Sequence, residues 1–144
     1  MRTYLVFLLI FLLSACSEDD FCCIDPESEI IDTWLLFERG WSPGSGYFVD
    51  PVSETPPQTM EIRPDGRFSS NIQGLEQYRY FLILEDDRWD VEVLALFESK
   101  PPKNPDLDKL EHSYNIEVQE NGTVKLFFRY CIEGCHLGLR RISN

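Results

Sequence analysis

Cations are scarce in this chain: 13 Lys and Arg stand against 25 Asp and Glu, for a formal net charge of −12. That excludes a nucleic-acid partner, because phosphate binding needs Lys and Arg to displace counterions. It equally excludes electrostatic docking on anionic lipid. Histidine is scarcer still, with only His112 and His136. No Ser/His/Asp order, glycine-rich phosphate loop or His-Glu-x-x-His is present. With no catalytic constellation the chain reads as a non-enzyme, with no cofactor and no metal site expected. Helical periodicity is almost absent. The one long apolar run, residues 4–13, is too short to cross a bilayer, which takes about 20 apolar residues in a helix. The acidic surplus reads as a solubility device.

What is present begins at the amino terminus. Arg2 precedes the apolar run, and Ser14, Ala15 and Cys16 follow it. A charged start, a short apolar stretch and small residues before a cleavage point make a secretory signal over residues 1–15. The stretch Leu13-Ser14-Ala15-Cys16 resembles the lipobox of bacterial lipoproteins. The resemblance implies cleavage before Cys16 and lipid, palmitate included, on that cysteine. The membrane is then a partner through the lipid on Cys16, and the expected location is the cell envelope, anchored in the outer membrane. Removing residues 1–15 takes away only Arg2, so the net charge moves from −12 to −13. Residues 16–29 read as an acidic tether containing Cys22 and Cys23. Its Ser17-Glu18-Asp19-Asp20 run also resembles the acidic export tag that carries some Bacteroidetes lipoproteins to the cell surface.

From residue 30 onward, short alternating segments recur between turn signals. They predict strands over 30–39, 58–63, 67–72, 77–84, 89–98, 112–119, 123–130 and 136–143. Pro64-Asp65-Gly66 and Asn121-Gly122 mark tight turns. Val91, Val93, Ala95 and Phe97 read as one face; so do Tyr114, Ile116 and Val118, and so do Val124, Leu126, Phe128 and Tyr130. Residues 106–110 have room for one helical turn. Connections of hairpin length make sequential strands antiparallel neighbours. Eight such strands close into a barrel, which removes exposed edges. Residues 30–144 are therefore expected to form one all-β domain, an eight-stranded antiparallel up-and-down barrel.

Trp34 early in the first strand, followed by the Pro64-Asp65-Gly66-Arg67-Phe68 turn, resembles the lipocalin-like lipoproteins of Bacteroidetes over most of residues 30–142. Lipocalins carry glycine two residues before that tryptophan, where this chain has Asp32. The resemblance implies a barrel that binds something small and apolar. It also implies an arginine of the last strand over the indole, for which Arg140 and Arg141 are available.

Apart from Cys16 there are four cysteines: Cys22, Cys23, Cys131 and Cys135. An even count in an exported chain points to disulfides, with three connectivities open. Adjacent cysteines rarely reach disulfide geometry, so the favoured arrangement joins Cys22 and Cys23 to Cys131 and Cys135 by two bridges. Zinc on four thiols beside His136 and a Cys-x-x-x-Cys-His haem attachment are weaker alternatives. Glu85-Asp86-Asp87 reads as a solvated turn rather than a calcium loop, and His112 as a surface residue.

Two functions stay open. One is a ligand-binding barrel with Trp34, Tyr78, Tyr80, Phe97, Tyr114 and Phe128 facing inward. The other is a protein-interaction module, an inhibitor or an envelope-assembly partner, with a filled barrel and exposed loops. Trp41, Tyr47 and Phe48 stand in the Gly-rich loop that covers the open end of lipocalin-like barrels, as a plug or as a lid. A cavity above roughly 300 Å³ favours the ligand, and a filled core favours the partner.

Overall fold

Alternating side chains and tight turns produce nine strands in the computed structural model, which describes residues 28–132 and 134–142. They are β1 (Asp32–Trp41), β2 (Phe48–Pro51), β3 (Thr59–Ile62), β4 (Phe68–Ser70), β5 (Tyr80–Asp86), β6 (Val91–Phe97), β7 (Ser113–Val118), β8 (Val124–Phe128) and β9 (His136–Arg141). The expectations for Cys16, Cys22, Cys23 and the signal segment lie outside the described residues. A single 3-10 turn, Leu107–Lys109, occupies the β6–β7 connection.

Every pairing is antiparallel, in the order β4-β3-β1-β9-β8-β7-β6-β5. The Arg67–Tyr80 bridge brings β4 to β5 and nearly closes the ring. β2 was not foreseen in the Gly/Pro-rich stretch. It pairs with the upper half of β1, Glu38 to Trp41, while β3 pairs with the lower half, Asp32 to Leu35. β2 and β3 thus share one place in the ring, and the fold is the expected eight-stranded up-and-down barrel.

The two ends differ. One end carries short turns, such as Asn121-Gly122, where Gly122 takes φ 79° and Thr123 N donates to Asn121 Oδ1 at 3.0 Å. Trp34 lies inside the barrel toward this end, 1% exposed, and its Nε1 donates to Ile30 O at 2.8 Å. Arg141 of β9 lies over the indole with its guanidinium 5.4 Å from the ring centroid. It also bonds Glu29 O at 2.9 Å and Asp32 at 3.2 Å. This end is closed. Above it Leu36, Met60, Ile62, Phe68, Phe81, Leu94, Leu126 and Leu139 fill the interior. The long loops gather at the other end.

Two facing assignments are corrected by register. Tyr80 pairs with Phe97, whereas Phe81 pairs with Leu96. Phe81, Leu94 and Leu96 belong to the core, so Tyr80 and Phe97 face outward, with Arg67 over the Tyr80 ring at 5.7 Å. All four residues Val93 to Leu96 are buried, so alternation in β6 could not choose a face. Asp86 is not a solvated turn residue: it is 2% exposed and held by Arg88 at 2.9 Å and Arg129 at 2.8 Å. These hydrogen bonds, that from Arg88 first, hold its carboxyl well below the usual carboxylate range against the opposing effect of burial.

Candidate functional site

A single extra residue in β1 decides what the open end presents. Leu36 pairs with Leu139, but Glu38 pairs with Gly138 and Arg39 with Leu137, so the register slips by one at Phe37. This β-bulge reverses the alternation. Trp34 and Leu36 face inward below it; Arg39 and Trp41 face inward above it.

The open end holds a cavity of about 570 Å³. Val52, Leu75, Tyr114, Leu126, Phe128 and Leu137 give it apolar walls. Arg39, Gln73 and His112 add polar groups, and Trp41 and Asp50 stand at the rim. One wall is an aromatic run: Tyr78 to His112 at 4.9 Å, His112 to Phe128 at 6.1 Å, and Phe128 to Tyr114 at 5.4 Å between ring centroids. Burial, with the neighbouring Tyr78 adding to it, pushes the Tyr114 hydroxyl up to about 12.

Of the six aromatics expected inside, Tyr114 and Phe128 line the cavity. Tyr78 is buried behind His112, Trp34 lies toward the closed end, and Tyr80 and Phe97 lie outside. His112 is half-buried in the wall rather than on the surface. Extending the β7 alternation by one step, from Tyr114 to His112, would have found it. Nothing in the sequence marks the bulge, so nothing marked Arg39 as inward.

The aromatics of the 41–48 loop separate. Trp41 stacks on Phe48 at 5.2 Å and donates from Nε1 to Asp50 Oδ2 at 2.7 Å. Both remain about 45% exposed, so they flank the opening rather than plug it. Tyr47 turns to the outer wall. Its hydroxyl donates to His136 Nδ1, and His136 Nε2 donates to Glu38 Oε1 at 3.0 Å. Gly40 makes room for this cluster, because a Cβ there would meet both the His136 ring and the Tyr47 hydroxyl. His136, 3% exposed, is thus the pin that holds the loop to the barrel.

Cys131 and Cys135 are bonded to each other, with Cα atoms 5.6 Å apart. The two bridges from Cys22 and Cys23 to this pair are therefore corrected: the β8–β9 loop is tight enough to satisfy its own cysteines. With both sulfurs consumed, the four-thiol zinc and haem-attachment alternatives fall as well. Among the described residues, no group of three or more His, Cys, Asp or Glu is arranged to hold a metal, and no helix is long and apolar enough to cross a membrane. Comparison with protein-family models, curated proteins and solved structures finds no match to this chain.

Proposed function

We propose that this chain is a lipid-anchored lipoprotein of the bacterial cell envelope, held on the outer membrane through Cys16, whose lipocalin-like barrel carries a small apolar ligand. The observation that carries the ligand reading is the cavity of about 570 Å³ above a packed core. Small-molecule sites occupy roughly 300–1,000 Å³, with apolar walls and a few placed polar groups. The family reading is supported by Arg141 over Trp34, the contact that the lipocalin resemblance implies. Anchoring rests on the lipobox. Glu29 sits at the closed end, bonded to Arg141, so a tether to Cys16 leaves from there and the cavity opens at the opposite end.

A protein-interaction module is the second reading. It is favoured by Trp41 and Phe48, exposed beside the opening, and by Tyr47 and Val49, exposed on the adjoining outer wall. Native mass spectrometry of the chain purified from its own membranes tests both. The expected spectrum shows a mature chain beginning at Cys16, carrying acyl mass there and a retained small molecule. An unacylated chain refutes the anchor; a barrel that retains a protein and no small molecule replaces the first reading by the second.

A further inference from the structure

We infer that the cavity is built for an anionic amphiphile, an acyl chain ending in a carboxylate or a similar single-charge acid, with Arg39 as the head-group receptor. This rests on the ligand-binding reading above and names the ligand class.

The inference starts from the arginines. Among the described residues, Arg63, Arg67, Arg88, Arg129, Arg140 and Arg141 all form ion pairs with carboxylates. Arg79 donates to the carbonyls of Glu76 and Tyr78. Arg39 faces the open-end cavity, and its guanidinium makes one hydrogen bond, from Nη2 to Gln58 Oε1 at 3.3 Å; Arg141 also lines a smaller pocket, at the closed end, but is paired there with Asp32. No described carboxylate lies within ion-pair distance of it. That is unusual in a chain with nearly two acids for every base, because a half-buried cation is costly to leave unpaired.

Its direct cross-strand neighbour is an acid, Asp50. No ion pair joins the two: Asp50 Oδ2 accepts from Trp41 Nε1 at 2.7 Å, which draws that carboxylate to the rim. The guanidinium keeps most of its five donors, a fork that matches a carboxylate edge-on. Below and beside it the walls are apolar: Leu75, Leu126, Phe128 and Leu137. A charged fork above an apolar chamber is complementary to a molecule with a charged head and an apolar tail. The bulge at Phe37 is what puts the fork inside; without it Arg39 would point to solvent.

Isothermal titration of the full chain in detergent-free buffer compares three probes with one tail: decanoate, decanol and decyltrimethylammonium. A hydrogen-bonded charge pair predicts decanoate at least about tenfold tighter than decanol, with the ammonium weakest. Arg39→Gln should erase the preference while leaving decanol affinity unchanged, and Arg39→Lys, a point charge without the fork, should keep part of it. Equal binding of decanoate and decanol, preference for the ammonium, or a preference that survives Arg39→Gln overturns the head-group assignment while the apolar cavity stands. Binding of none of the three overturns the ligand-binding reading itself. The wild-type series can decide against the inference without any variant, so a poorly folding Arg39→Gln does not shelter it.

Discussion

Replacing Cys131 and Cys135 together by alanine removes a cross-link between residues only four apart in sequence. In the chain-entropy account, a disulfide stabilises by restricting the unfolded chain, and the effect grows with the loop it closes. For a loop this short the expected loss is about 2 kcal/mol, against nearly 5 kcal/mol for a bridge closing on the order of 110 residues. The turn keeps its own backbone bonds, Phe128 N to Cys135 O at 2.9 Å and Gly134 N to Cys131 O at 3.1 Å, so the variant should fold. Urea unfolding followed by the fluorescence of buried Trp34 measures the difference. With a slope of about 2 kcal/mol per molar urea, the midpoint should fall by about 1 M. Thermal unfolding should drop by roughly 8 °C for a domain of this size. A loss near 5 kcal/mol would mean that these cysteines close a long loop, and the local pairing would be wrong. Non-reducing peptide mapping gives the covalent check: Cys131 and Cys135 must appear linked to each other, and neither to a peptide bearing Cys22 or Cys23.

Trp34→Ala should cost about 3–5 kcal/mol by emptying the closed end, whereas Arg141→Gln should cost about 0.5–1 kcal/mol, since that side chain is half exposed and its contact with the indole is correspondingly weak; equal urea midpoints for the two variants would contradict the packing described. Asp86, whose carboxyl is held well below its ordinary value, should stabilise the fold fully above the unfolded carboxylate value of about 3.9 and progressively less as pH falls below it toward the folded value. Urea midpoints measured across that acid range should fall for the wild type. Asp86→Asn should be weaker at neutral pH, with Arg129 left without its carboxylate and Arg88 with Asp108 alone, and should show a shallower fall; parallel curves would refute the role.

Much of the fold was legible because strand periodicity and turn chemistry are local properties. Tyr114, Ile116 and Val118 share a face on residue spacing alone, as do Val124, Leu126 and Phe128, and Asn121-Gly122 needs only its own backbone preference to turn the chain. The succession of such segments, joined by short turns, carried the antiparallel barrel and its strand order. The arginine over Trp34 was implied by the lipocalin resemblance and not by spacing, with Arg140 and Arg141 both open, and Arg141 fills the place. Where both faces of a strand are apolar, local pattern has nothing to choose between, and β6 took its inward face from pairing Leu94 with Tyr114. β2 exists because the upper half of β1 offers unpaired backbone, which no composition of a Gly/Pro-rich loop reveals. The burial of Asp86 depends on Arg129, 43 residues away. The disulfide depends on how far a turn closes in space. The cavity rests on the subtlest of these decisions: one bulge residue, set by the mismatch between β1 and β9, reverses a side-chain alternation that sequence alone would have continued, and so brings Arg39 into the barrel.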